Sequence, residues 1–266
     1  MSIIPEPCRS CGAQGLDSLI SLGHMPLANS YLAAAQLSDD EPNFLLELAF
    51  CPNCTLVQTT ETVPPEQLFR DYLYFSSFSD TMLCQSEALV ERLIAARGLN
   101  TGSLAAEIAS NDGYLLQYYH RAGVPVLGIE PAENIAPIAR ERGVRTVCEF
   151  FSAELAGQFA AAGEKADVVH ANNVLAHVPD INSVVQGIHL FLKDDGIAVI
   201  ETPYVRDMIE RCEFDTIYHE HLFYYSVHAL HHLCSRHGLA IVDIERIPIH
   251  GGSSRLVRGQ VIFFFQ

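Results

Sequence analysis

Glu107-Ile108-Ala109-Ser110-Asn111-Asp112-Gly113-Tyr114-Leu115-Leu116 is a stretch that a strand enters and a helix leaves. Leu104, Ala105, Ala106 and Ile108 suit a buried strand, and Leu115, Leu116, Tyr118 and Tyr119 recur at helical spacing from Gly113 onward. Downstream, Val124-Pro125-Val126-Leu127-Gly128-Ile129-Glu130-Pro131 reads as a second strand ending in an acid. A parallel sheet uses such an acid to grip an adenosyl ribose diol, while the cofactor lies across the first strand-to-helix turn. Glu130 is the candidate acid. The competing reading is one strand-helix junction among many, with no ligand. Against it stands the order of the turn, the acid-ended strand and a later Ala171-Asn172-Asn173 segment.

Outward from this turn, short apolar runs alternate with helical patterns, the sign of a doubly wound parallel sheet. Candidate strands are 104–109, 124–130, 144–148, 167–171, 196–201, 239–244 and one within 255–265. Glu149-Phe150-Phe151-Ser152 after the third strand and Asn172-Asn173 after the fourth fall at carboxyl ends of strands, the edge where such sheets bind ligands. Phe150 or Phe151 could cover an adenine ring, although core packing accounts for either almost as well.

Toward the N-terminus, Cys8-Arg9-Ser10-Cys11 and Cys51-Pro52-Asn53-Cys54 are two C-x2-C knuckles. Four thiolates turned toward one point complete a closed tetrahedral zinc site with no position left for substrate, so the expected role is structural. The insert between the knuckles must carry structure of its own, through Leu19-Ile20-Ser21-Leu22 and Phe44-Leu45-Leu46-Glu47-Leu48. Cys84, Cys148, Cys212 and Cys234 stand alone and are expected in the core.

The chain of 266 residues accommodates a large α/β domain plus a small satellite, or two modest domains. Lys and Arg number 16 against 32 Asp and Glu, a formal net charge of −16, which leaves no basic stripe for a phosphate backbone. No nucleic-acid partner is expected, and anionic small substrates would have to find local groups such as Arg206, Arg255 or Arg258. No basic-then-apolar leader opens the sequence and no apolar run approaches membrane-spanning length, so no membrane partner and a cytoplasmic location are expected. Eight cysteines in that setting suggest thiols and metal ligands rather than disulfides.

Val63-Pro64-Pro65-Glu66 reads as a boundary, dividing a zinc-binding domain (1–62) from a helical linker region (63–100) and a cofactor-binding domain (101–266). Within the linker region, Asp71-Tyr72-Leu73-Tyr74-Phe75-Ser76-Ser77-Phe78-Ser79-Asp80 is rich in aromatics and hydroxyls, and Tyr72 and Tyr74 are candidate pocket residues, with packing equally able to explain each. A helical pattern through Leu89, Leu93 and Ile94 follows. The densest polar cluster comes after the fifth strand, in Glu201-Thr202-Pro203-Tyr204 and then Phe214-Asp215-Thr216-Ile217-Tyr218-His219-Glu220-His221-Leu222-Phe223-Tyr224-Tyr225-Ser226. Two histidines, a carboxylate and phenols offer acid-base chemistry near neutral pH. The order is not that of a helical metal motif, since histidines two apart on a helix face different ways. His228, His231, His232 and His237 read as satisfied, half-buried histidines.

Together the two knuckles, the Glu107–Leu116 turn, Gly128-Ile129-Glu130-Pro131, Ala176-His177-Val178-Pro179-Asp180, Tyr218-His219-Glu220-His221 and His250-Gly251-Gly252-Ser253 resemble the zinc-containing sugar C-methyltransferases of deoxysugar biosynthesis. The resemblance implies a class I methyltransferase fold, Rossmann-like with a seven-stranded, mostly parallel sheet, behind a small N-terminal zinc-binding domain. It implies S-adenosylmethionine as cofactor, one structural zinc on Cys8, Cys11, Cys51 and Cys54, and methylation of a carbon beside the ketone of a nucleotide-linked 4-keto-6-deoxysugar through an enolate. By the same resemblance His221 is the base, Tyr218, Glu220 and His177 shape its proton transfers, and Tyr72 stands near the sugar. Glu107, Asn111, Gly113, Tyr114, Leu115, Glu130, Pro131, Phe150, Phe151, Asn172 and Asn173 are the cofactor candidates. Family members usually continue into a further C-terminal domain that helps to hold the nucleotide sugar, whereas this sequence stops at Gln266; the two readings are a last strand that closes the methyltransferase sheet without that domain, and a truncated product whose sugar site a missing domain or a partner chain would complete. The turn also carries Ala109 and Asn111 where methyltransferases at large commonly have glycine. The alternatives are an O- or N-methyltransferase on another small acceptor, and a non-catalytic zinc- and cofactor-binding module working with a partner.

Overall fold

The computed structural model describes residues 3–70, 72–246 and 260–265. The first part of the chain forms β1 (Ile3–Ile4), β2 (Leu16–Pro26), β3 (Asn43–Phe50) and β4 (Val57–Thr59), followed by the short helix α1 (Pro65–Phe69). The stretches between the knuckles that needed structure of their own are therefore the antiparallel pair β2–β3. The helix α2 (Asp80–Arg97) starts where the Ser79 hydroxyl accepts the Met82 amide and stops at Gly98, whose φ of 63° suits a residue without Cβ.

The remaining elements are β5 (Ala105–Ile108), α3 (Leu116–Arg121), β6 (Val126–Ile129), α4 (Ala136–Glu141), β7 (Thr146–Val147), α5 (Ala153–Ala161), β8 (Ala166–Asn172), α6 (Ile181–Phe191), β9 (Leu192–Thr202), α7 (Val205–Arg211), β10 (Phe223–Tyr224), α8 (Val227–Arg236), β11 (Ala240–Arg246) and β12 (Gln260–Phe265). Seven of the strands make one sheet in the order β11-β12-β9-β8-β5-β6-β7, and every pairing in it is parallel. All seven expected strands are present. The third shrinks to two residues, and the helix after β5 begins at Leu116, because left-handed residues interrupt the backbone between them. The motif His250–Ser253 and the candidates Arg255 and Arg258 lie outside the described residues.

Alternation along each strand sends side chains to opposite faces. Ala106, Ile108, Leu127, Ile129, Val169 and Ala171 pack with α5, α6 and α8, while Ala105, Val126, Val168, Ile197 and Val199 pack with α2, α3 and α4. α6 shows how the layer is made: Asp180 caps its N-terminus by accepting the Ser183 amide, and Ile181, Val184, Val185, Ile188 and Phe191 bury one stripe. The first of these cores continues into the N-terminal lobe through Cys8, Leu16, Ala49, Cys51, Cys54 and Leu56.

The lobes also share a sheet. β10, which follows the fifth strand of the large sheet, pairs antiparallel with β4, giving the order β1-β2-β3-β4-β10. Asn182 on α6 donates to the carbonyls of Arg9 and Ser10 in the first knuckle, and Arg236 at the end of α8 and His237 just after it hold its Oδ1. Of the solitary cysteines, Cys234 is buried and Cys148 half-buried, but Cys84 and Cys212 are exposed, contrary to the core expectation. His228, His231 and His232 likewise face solvent, since α8 buries Ala229, Leu230, Leu233 and Cys234 on its other side. No described helix is long and apolar enough to cross a membrane.

Candidate active site

β5 and β8 are neighbours, with β6 on one side and β9 on the other. This is where the strand order reverses, and loops leaving the carboxyl ends in opposite directions open a crevice. The cavity there has a volume of about 580 Å³. Of the residues expected from sequence, Asn111, Tyr114, Glu130, Pro131, Phe150, Phe151, Asn172, Asn173, His177 and Tyr72 line it.

The turn after β5 holds Ala109, Asn111 and Gly113 at φ of 52°, 49° and 77°. These include the two positions where the sequence departs from glycine, and the backbone still takes the left-handed form. For Asn111 the side chain compensates: its Oδ1 accepts the amides of Ser76 and Asp112, both at 2.9 Å, and its Nδ2 donates to the Tyr74 carbonyl at 3.0 Å. Ala109 has no such compensation. Its strain of about 1 kcal/mol should be released in Ala109→Gly, raising Tm by about 1–3 °C in thermal unfolding. A lower Tm would mean that the turn stores less strain than the roughly 0.4–1 kcal/mol that glycine costs through the unfolded chain.

Both carboxylate oxygens of Glu130 are tied down by main-chain amides, Oε2 by Asn111 at 2.7 Å and Oε1 by Ala132 at 2.8 Å. Burial pushes its pKa up, and the Ala132 and Asn111 amides pull it back. Each oxygen keeps lone-pair capacity toward the cavity, as a diol requires. Asn172 donates to the Tyr114 phenol at 3.1 Å, while its buried Oδ1 has no hydrogen-bond partner. An orphaned acceptor on a cavity wall fits a polar ligand.

Three of the cofactor candidates do not reach the cavity. Leu115 is buried in the core between sheet and α2. Gly113 backs onto Val144, where a Cβ would come within 3.0 Å of a Val144 methyl. Glu107 lies fully buried on the sheet, where desolvation pushes its carboxyl well above the usual range against the pull of the Tyr114 phenol.

The Tyr218–His221 run forms a turn outside the cavity lining, behind His177. His221 Nδ1 donates to the Thr216 carbonyl at 2.9 Å, which leaves Nε2 as the acceptor, and the Tyr218 hydroxyl donates to it at 3.0 Å. The His177 ring meets the His221 ring edge-on at 4.8 Å between centroids. Burial lowers the pKa of His221, partly offset by the Thr216 carbonyl, and brings His177 down to about 3, so both imidazoles are neutral near pH 7. Phe69 packs on both His177 and Tyr72, joining this turn to the cavity. Burial first, then the charges of Glu220 and Glu130, push the Tyr72 phenol up to about 12.

Reading the sequence missed Asn29, Phe69, Ser76 and Thr216. Asn29, from the N-terminal lobe, donates to Glu220 Oε1 at 2.9 Å, and the Phe44 carbonyl of the same lobe accepts from His219 at 3.1 Å. The lobe therefore supports the histidine turn directly. Asn29 sits at φ 62°, and a lone Asn after Pro26-Leu27-Ala28 was its only signal.

The Sγ atoms of Cys8, Cys11, Cys51 and Cys54 lie within 4.8 Å of one another, with Cys8–Cys54 and Cys11–Cys51 at 3.6 Å. Sulfurs at tetrahedral corners around zinc stand about 3.8 Å apart, so the donor set fits that ion. The knuckles match locally: Gly12 and Thr55 each follow the second cysteine at positive φ, with amides donating to Cys8 and Cys51 carbonyls at 2.8 Å.

A family model described as "Putative zinc binding domain" matches residues 8–69, and one described as "Methyltransferase domain" matches residues 83–244. Among curated proteins, the C-methyltransferase NovU of Streptomyces niveus is 34% identical over 248 residues, 93% of this chain and 59% of that protein. A ubiquinone biosynthesis O-methyltransferase of Actinobacillus pleuropneumoniae is 33% identical over 110 residues, 38% of this chain and 46% of that protein. Among solved structures, a SAM-dependent methyltransferase from Archaeoglobus fulgidus aligns at a TM-score of 0.46 and 16% identity over 58% of this chain and 69% of that one. The chain thus spans about half the length of the curated relatives it matches. With the methyltransferase domain match extending over most of the chain and the switch-point cavity at its centre, this protein belongs to the methyltransferase family and carries a zinc-binding domain at its N-terminus.

Proposed function

We propose that the protein is an S-adenosylmethionine-dependent C-methyltransferase acting on a carbon α to the ketone of a nucleotide-linked 4-keto-6-deoxysugar, through an enolate. The observation that carries the reading is the polarised pair at Tyr218 and His221, where a neutral imidazole presents Nε2 as its acceptor beside the cavity. An oxygen or nitrogen acceptor already carries the lone pair that attacks, so such a base assists its methylation rather than creating the nucleophile. Carbon needs it, because a proton must leave before the carbon can attack. The C-methyltransferase relative, similar over nearly the whole chain, supports the same reading.

S-adenosylmethionine supplies an electrophilic methyl group when bound. The residues of this chain do the rest. Glu130 would hold the ribose diol, Pro131, Phe150 and Phe151 would flank the adenine, and Asn172 Oδ1 would accept from the polar end of the cofactor. The Tyr218 hydroxyl turns from Nε2 toward the substrate oxygen, which frees His221 Nε2 to take the α-proton, and the Thr216 carbonyl stabilises the imidazolium through Nδ1. Phenols at Tyr72 and Tyr218, both kept protonated by burial, are suited to donate to the enolate oxygen. Phe69 and Val178 wall off water.

Mass spectrometry of a panel of nucleotide-linked 4-keto-6-deoxysugars incubated with the protein and S-adenosylmethionine tests the reading. The expected result is a gain of one methyl group on a panel member. No gain while the cofactor binds would overturn the assigned acceptor.

A further inference from the structure

We propose that Asn134 is a positioning residue that sets Tyr72 in the cavity, and that the strap formed by Arg70 and residues 72–76 is the element through which cofactor held at Glu130 organises the acceptor side. The inference rests on the cofactor reading above. Asn134 grips Tyr72 by its main chain, accepting the Tyr72 amide on Oδ1 at 3.1 Å and donating from Nδ2 to the Tyr72 carbonyl at 2.8 Å. This pair of bonds fixes the direction of the strap at the residue whose ring enters the cavity. One residue earlier, the Glu133 amide donates to the Arg70 carbonyl at 3.0 Å.

The far end of the strap is held the same way by the other loop of the crevice. Asn111 accepts the Ser76 amide and donates to the Tyr74 carbonyl. Both gripping residues are tied to Glu130: the Asn111 amide donates to one of its carboxylate oxygens, and Asn134 stands in the loop whose Ala132 amide donates to the other. The strap in turn carries Tyr72 and Tyr74 on the cavity wall, while Leu73 and Tyr74 remain largely exposed. A segment with little apolar burial, held by side-chain-to-backbone bonds from two loops that meet on one carboxylate, responds to whatever orders that carboxylate. Tyr72, bearing the charges of both Glu130 and Glu220, stands between the cofactor side and the histidine turn.

Asn134 is exposed, so its truncation leaves the fold intact. The test is residue-resolved amide exchange on the full chain, with and without S-adenosylhomocysteine, in the native protein, Asn134→Ala and Asn134→Asp. In the native protein the ligand should slow exchange at Tyr72 and Ser76. In Asn134→Ala the Tyr72 amide should exchange roughly fivefold faster and lose its ligand response, since a single hydrogen bond is worth about that factor, while Ser76 keeps its response. Ligand Kd should change less than about threefold, because a loop bond rather than a cavity contact is lost. Asn134→Asp keeps the acceptor and should restore protection at Tyr72. A purely structural asparagine would raise exchange equally with and without ligand. Bound ligand with no change at Tyr72 in the native protein, or a native-like response in Asn134→Ala, overturns the inference alone. Failure of the native protein to bind the ligand overturns the cofactor reading and the inference together.

Discussion

His221→Ala should lower methyl transfer by about 10²- to 10⁴-fold, the range that a positioned general base contributes. S-adenosylmethionine affinity should stay within about threefold, because the side chain lies outside the cavity walls and the bonds of Glu130, Asn111 and Asn172 do not involve it. The sign of the pH dependence follows from the environment of the ring. Burial lowers the pKa of His221, so the neutral, proton-accepting form persists as pH falls below the ordinary imidazole range. The acid limb of kcat/KM should therefore lie below that of free imidazole, and activity should be lost only as pH drops through the depressed value. Equilibrium binding by calorimetry, set beside single-turnover rates, separates the two effects. Loss of cofactor binding together with activity would move His221 from proton transfer to the architecture of the site.

Cys51→Ser, or removal of zinc by a chelator, should disrupt the N-terminal lobe and abolish activity. A structural zinc site of this kind contributes roughly 10–16 kcal/mol of folding free energy, comparable to the entire stability of an ordinary domain. The damage would not remain local. The cysteine core is continuous with one face of the large sheet, Asn182 grips the first knuckle, and β4 provides the edge on which β10 rests. Losing the lobe would deprive Glu220 of Asn29 and His219 of the Phe44 carbonyl. Zinc content, amide protection in β2–β4 and turnover should therefore fall together. A zinc-free protein that keeps its Tm and its activity would refute the structural role.

How much of this was legible in the sequence depends on distance along the chain. The β5 turn, the acid at Glu130 and the paired knuckles are local patterns, and each occupies its expected place in the fold. Local patterns do not say which side of a turn meets the ligand, so Gly113 and Leu115, which face the core, look like site residues when only the motif is read. Glu107 does not line the cavity either, since strand alternation turns it into the sheet's packed layer. On α8 the apolar stripe Ala229, Leu230, Leu233 and Cys234 decides which side is buried, and it leaves His228, His231 and His232 in solvent rather than half-buried. Asn29 and Asn134 were out of reach for another reason. Each acts on a residue far away in sequence, Glu220 and Tyr72, through a bond created only when separate segments meet.

The pairing of β10 with β4 bears on how the protein comes off the ribosome. The strand that Gln58 and Val57 need as a partner is Phe223–Tyr224, so the knuckles emerge early while the sheet that backs them stays open until most of the chain has been made. Such a non-local closure is intrinsically slow and leaves an unpaired edge in the meantime. Early capture of zinc by the four cysteines would hold β4 in place through that interval, making metal supply during synthesis a determinant of folding yield.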